Sequence, residues 1–79
     1  MARVHIAVML KDEILDPQGQ AIERALPSLG VTDVRAVRVG KHIVVDLADG
    51  DDLDERVGDM AHRLLANPVI EEFTFRVEA

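Results

Sequence analysis

Residues 3–10 read Arg3-Val4-His5-Ile6-Ala7-Val8-Met9-Leu10, and the fold turns on them. Val4, Ile6, Val8 and Leu10 share one parity; Arg3, His5, Ala7 and Met9 share the other. Alternation sustained over eight residues predicts a strand with one face in a core and the other half-solvated. The polar stretch Lys11 to Asp16 then leads to Asp16-Pro17, a helix start. The Asp16 carboxylate can take orphan backbone N–H bonds, and proline at the first helical position loses no hydrogen bond. Ile22, Leu26 and Leu29, with Ala21 and Ala25, make the apolar stripe; Pro27 should distort the last turn and Gly30 should end it.

Further out, Val31 to Val39 reads as a second strand whose phase slips: Val34 and Ala36 are even, Val37 and Val39 odd. A bulge near residues 35–37 would reconcile the two. Gly40-Lys41 is then a tight turn into a third strand, giving an antiparallel hairpin. In that strand Ile43, Val45 and Leu47 face the core, and His42, Val44 and Asp46 face away. Asp52 and Glu55 have capping-box spacing before a second helix with Leu53, Val57, Met60, Ala61, Leu64 and Leu65 inward. Asn67-Pro68 stops it, with Asn67 as a left-handed cap. Val69 to Glu78 is the last strand, with Phe73, Phe75 and Val77 on one face.

The order β-α-β-β-α-β predicts an α+β two-layer sandwich of ferredoxin-like type. It has a mostly antiparallel four-stranded sheet with two helices on one face. A chain of 79 residues is one domain, spanning 1–79. Such a domain buries only about 60% of its unfolded surface. It has no cysteine, so disulfides and thiolate metal sites are closed to it, and oligomerisation is the remaining support. The outer sheet face mixes Ala7, Met9, Val44 and Thr74 with Arg3, His5, His42, Asp46, Glu72 and Arg76. That is too apolar for a purely solvated face, so Ala7, Met9 and Val44 are the expected oligomer interface.

Nine Lys and Arg against fifteen Asp and Glu leave a net charge of −6, which disfavours nucleic acid. No segment has the ~20 apolar residues of a membrane span, and the N-terminus lacks a signal-peptide cleavage site, so a cytoplasmic location is expected. His5, His42 and His62 do not have zinc-protease spacing. The acidic run Asp49 to Glu55 fails the EF-hand pattern: Leu53 stands at a ligand position and Asp54 where glycine is required. No metal is expected. Nothing marks Ser28 or the threonines as activated nucleophiles. An acylphosphatase-type enzyme would need arginine in the loop after the first strand, and residues 11–16 hold three acids and none. RNA binding by the sheet would need exposed aromatics, and Phe73 and Phe75 face inward.

Three segments together resemble one family. They are Leu10 through Ala21 (LKDEILDPQGQA), Val37-Arg38-Val39-Gly40-Lys41, and Leu64 through Phe73 (LLANPVIEEF). In this order they are similar to the PurS family of phosphoribosylformylglycinamidine (FGAM) synthase, over nearly the whole chain. Pro68, where the family often has Thr, and Pro27 depart from the pattern.

The resemblance implies a small non-catalytic subunit of an ATP- and glutamine-dependent C–N ligase of de novo purine biosynthesis. The complex converts formylglycinamide ribonucleotide to formylglycinamidine ribonucleotide. A glutaminase subunit and a large synthetase subunit are the implied partners, joined by a homodimer or tetramer of this chain that assists ammonia transfer. It also implies no cofactor on this subunit, since ATP and Mg serve the large one. Asp16, Pro17, Gln18, Gly19, Arg38, Gly40, Lys41 and Asn67 are the candidate partner-binding residues, and no catalytic residue is expected. The competing reading is an ACT-like effector-binding regulatory module, which shares the element order.

Overall fold

The computed structural model describes residues 1–78. The 3–10 alternation makes β1 (Ala2–Leu10), the central strand of a three-stranded antiparallel sheet ordered β2-β1-β3. β2 is Gly40–Leu47 and β3 is Glu71–Val77. Ile6 lies opposite Ile43 on one side and Phe75 on the other; Val4 lies between Val45 and Val77. Val4, Ile6 and Val8 are at most 1% exposed. They form the core with Val57 and Ala66, flanked by Ile43, Val45, Leu47, Leu53, Leu65, Phe73 and Phe75.

The second helix, α2 (Leu53–Met60), covers this face. Asp52 makes no side-chain cap bond; it pairs with Arg56 at 3.2 Å, and Arg56 donates to Ala48 O at 2.6 Å. The expected capping box is therefore replaced by an arginine tie. Residues Ala61–Leu65 form a π-turn closed by Ala66 N–H to Ala61 O at 2.8 Å. That wider turn carries Leu64 off the apolar stripe, leaving it 80% exposed, and brings Ala66 inward. Asn67 is not left-handed, since no residue but glycine has positive φ among those described. Its side-chain oxygen accepts from Val69 N–H at 3.1 Å, and its carbonyl accepts from Ile70 and Glu71. The stop is thus an Asn-centred turn.

Two expectations fail together. Among the described residues the sheet has three strands, not four, because residues 31–39 join no ladder and Gly40-Lys41 opens β2 instead of turning a hairpin. Nor do both helices pack on one face. The first helix, α1 (Pro17–Ala25), and its 3-10 continuation Leu26–Leu29 contribute nothing to the core. Pro27 tightens that last turn as expected, and Gly30 ends it at φ 85°. Ile22, Leu29, Val31 and Val34 stay exposed.

Residues 17–36 therefore form an arm, and the molecule measures 49 × 28 × 14 Å. Its radius of gyration is 15.9 Å, against about 12 Å for a compact domain of this length. The local signals for strand 31–39 were real, but a ladder needs a neighbour, and this chain does not fold one back onto the β2 edge.

Candidate functional site: a clasp and a cleft at one end of the sheet

The arm is pinned at its root by two side chains. Asp16 is buried, at 4% exposure, and caps α1 by accepting from Gly19 N–H at 2.8 Å. Its second carboxylate oxygen accepts from Val39 N–H at 2.7 Å. One carboxylate thus joins both ends of the arm, residues 16–19 and 39. These bonds, Val39 first and Gly19 next, hold the Asp16 carboxyl below its ordinary value against the opposing cost of burial; Arg38 adds a smaller favourable field.

Arg38 works from the returning end of the arm. Its guanidinium donates to Lys11 O at 2.9 Å, Ile14 O at 3.2 Å and Leu10 O at 3.4 Å, fixing the loop that leads into α1. Gly19 sits where a Cβ would drive into the Val37 carbonyl, so only glycine lets the helix start approach the returning chain.

The third segment joins the same place. Lys11 N–H donates to Ile70 O at 2.9 Å. Lys41, opposite Val8 in the register, reaches Leu65 O at 3.4 Å and lies 4.0 Å from Glu71. Asn67 N–H donates to Glu71 Oε1 at 2.7 Å. A cleft of about 310 Å³ opens here, lined by Asp16, Pro17, Gln18, Gly40, Lys41 and Glu71 among others.

Of the eight residues singled out from sequence for partner binding, five line this cleft, Gly19 lies buried beside it, and Arg38 and Asn67 brace its loops. Glu71, which sequence reasoning passed over, is the hub linking Lys41 and Asn67. Its only signal was a carboxylate four residues after an asparagine cap.

The outer sheet face is built as the alternation requires. Register places Ala7 between His42 and Thr74, His5 between Val44 and Arg76, and Met9 between Gly40 and Glu72. Ala7 and Val44 are exposed and Met9 is partly so. Arg3 donates to Asp46 at 3.0 Å, which raises the guanidinium and lowers the carboxyl. Among the described residues no group of three or more His, Asp or Glu is arranged to hold a metal ion, and no helix is long and apolar enough to cross a membrane.

An open sheet edge, a pinned arm and a cleft walled by structural ties define a small α+β assembly module. The chain matches the family model described as PurS, phosphoribosylformylglycinamidine (FGAM) synthase, over residues 3–79. It belongs to the PurS family.

The PurS subunit of that synthase from Bacillus subtilis is 43% identical over 79 residues, covering 99% of this chain and 94% of its own. That from Mycobacterium leprae is 48% identical over 79 residues, covering 100% and 99%. The crystal structure of Bacillus subtilis PurS superposes with a TM-score of 0.90 at 42% identity, covering all of both chains. A chain of the Thermotoga maritima PurLQS structure gives 0.81 at 32% identity, covering 98% of this chain and 96% of that one.

Proposed function

We propose that this chain is the small subunit of an FGAM synthase complex, supplying surfaces to a glutaminase and a large synthetase subunit and no reacting group of its own. The observation that carries the reading is a convergence. The three segments that resemble the family lie far apart in sequence, yet meet around one cleft. Residues grouped by a shared surface rather than by a nucleophile and its base suit a docking subunit. ATP, Mg and the ammonia chemistry then belong to the partners, in the cytoplasm.

Affinity purification of the full chain from its native cell tests this: a glutaminase and a large synthetase should co-purify. Lys41→Glu should weaken that recovery while leaving the fold intact by circular dichroism. Recovery of neither partner overturns the reading.

The same reading includes self-association. The outer edge of β2 has no neighbouring strand, and residues 31–39 join no ladder. An open edge beside an exposed apolar arm is a liability that a second copy removes. Ala7, Met9 and Val44 on the outer face give a second contact, the route from dimer to tetramer. Sedimentation equilibrium should show an oligomer at micromolar concentration; a monomer there overturns this part alone.

A further inference from the structure

Among the described residues β3 pairs with β1 on one side and has no neighbour on the other. The two ends of β3 fix which backbone groups face that open edge. Ile70 O accepts from Lys11 N–H at 2.9 Å, and Glu78 N–H donates to Arg3 O at 2.8 Å. In an antiparallel ladder a residue turns its N–H and C=O to the same side, and the side alternates along the strand. Residues 70, 72, 74, 76 and 78 therefore bond toward β1. Phe73, Phe75 and Val77 hold their N–H and C=O groups out to the open edge. Glu71 has the same parity, but its N–H is already given to Asn67 O at 2.7 Å.

Protein edges are commonly guarded by lysine, proline or a bulge. Residues 71–77 read Glu-Glu-Phe-Thr-Phe-Arg-Val, with no lysine and no proline. Their register against β1 runs unbroken from Glu71 to Val77, so there is no bulge.

The order of side chains makes this edge complementary to itself. Glu72-Phe73-Thr74-Phe75-Arg76 reads acid-aromatic-Thr-aromatic-base. A second copy laid antiparallel, Thr74 facing Thr74, sets Glu72 of each copy opposite Arg76 of the other on the outer face. It also sets Phe73 of each beside Phe75 of the other on the core side. Opposite charges and aromatic pairs directly across a ladder are favourable. The backbone parity agrees. Phe73 and Phe75 both turn to the edge and exchange their N–H and C=O bonds, while the Glu72/Arg76 and Thr74/Thr74 positions fall at the more closely approached sites between bonds.

Within one copy these groups are available. Among the described residues neither Glu72 nor Arg76 takes part in an ion pair. Both are exposed, and Phe73 and Phe75 are only half-buried. Moving the centre by one residue loses the match. About Phe73, Glu72 faces Thr74 and Arg76 faces Ile70; about Phe75, Glu72 faces Glu78.

We infer that two copies of this chain join β3 to β3 about a two-fold axis at Thr74, making one continuous sheet whose register is set by the Glu72–Arg76 pairs. The contact is isologous, with the same patch on both copies. It leaves the β2 edge and residues 31–39 to the separate contact proposed above.

The test uses a thiol at the axis. The chain has no cysteine, so Thr74→Cys adds a single one. Facing Cα atoms at such a site lie about 4.5 Å apart, within disulfide reach. With oxidised glutathione taking up the two electrons, the full-length variant should form a disulfide-linked dimer. Adding Glu72→Arg or Arg76→Glu sets like charges opposite each other and should slow this joining about tenfold. An equal mixture of those two variants makes every facing charge pair opposite again. A heterodimer, identified by mass, should then form at the rate of Thr74→Cys alone. The same two proteins serve alone and mixed, so a folding defect cannot imitate the recovery. Adding Val34→Asp to Thr74→Cys should leave the joining unchanged, since the arm takes no part in it. Absence of a disulfide dimer from Thr74→Cys overturns the inference. So does one rate shared by the single charge variants, their mixture and Thr74→Cys, and so does a dimer that Val34→Asp abolishes.

Discussion

Residues 3–10 and residues 31–39 are two stretches of similar length, both read from sequence as strands. The first becomes β1, paired on both sides, with Val4, Ile6 and Val8 sealed in the core. The second has no ladder, and Val31 and Val34 are 37% and 42% exposed. The second carries three charges, Asp33, Arg35 and Arg38, and a slipped phase, and it also lacks neighbours. β1 is flanked by two strands that its own chain delivers across one face of a helix. Residues 31–39 are held at their base by Asp16 and the Arg38 loop, and the arm projects from there. Alternation reports that a segment is built for a two-sided environment. It does not say which molecule supplies the other side.

The sharpest way to break this contrast is to empty a core position. Ile6→Ala removes a fully buried side chain beneath α2 and should cost about 2–5 kcal/mol. Urea unfolding would read it directly. A loss under about 1 kcal/mol would mean that the sheet core is far less tightly closed than its burial shows.

Next in size is Gly19→Ala. The added methyl meets the Val37 carbonyl, a backbone atom that cannot swing away, so the clasp must shift. Overpacking of this kind costs about 1–3 kcal/mol. The distinguishing readout is hydrogen exchange: residues 16–20 and 37–39 should lose protection while β1 and β3 keep theirs. Equal loss everywhere would show that the arm root and the sheet are one cooperative unit.

Smaller again is Val34→Asp. In a single copy it touches nothing in the core and should leave the unfolding midpoint of a dilute sample within about 0.5 kcal/mol of wild type. If a second copy covers the arm, the same change buries a carboxylate without a partner and weakens association by about tenfold or more. Analytical ultracentrifugation separates the two. Unchanged association would leave the arm uncovered by a second copy and break the comparison at its weaker end.

Much of this was legible because it is local. The Asp16-Pro17 start, the Pro27 distortion and the Gly30 stop depend on neighbours within a few residues, and the structure has all three. The outer and inner parities of β1 and β2 were equally readable, since a ladder keeps side chains in step. What stayed hidden needed partners far along the chain. Arg38 stood in the sequence as a candidate partner-binding residue, and nothing local announced that its guanidinium meets the carbonyls of Leu10, Lys11 and Ile14. The His5–Glu78 bond joins residues 73 apart. The π-turn that exposes Leu64 shifts phase by a single residue, with no glycine or proline to announce it.

The finest test of the clasp is a pH titration, and its sign follows from Asp16. The Val39 and Gly19 N–H groups hold this carboxyl below its ordinary value, so folding favours the ionised form. That contribution is fully present above the unfolded value of about 3.9 and is lost as pH falls through the lower folded one. Asp16→Asn keeps an acceptor for Gly19 and a good cap, but turns an amide donor toward Val39 N–H. The variant should therefore be less stable than wild type at neutral pH by a constant margin. The margin should narrow only below about pH 4, as wild-type Asp16 takes up its proton. Urea midpoints for the two proteins at neutral and acid pH measure it. A margin that survives protonation unchanged would assign the Val39 contact to shape rather than to charge, and the root of the arm would then be held by Arg38 and the Gly19 approach alone.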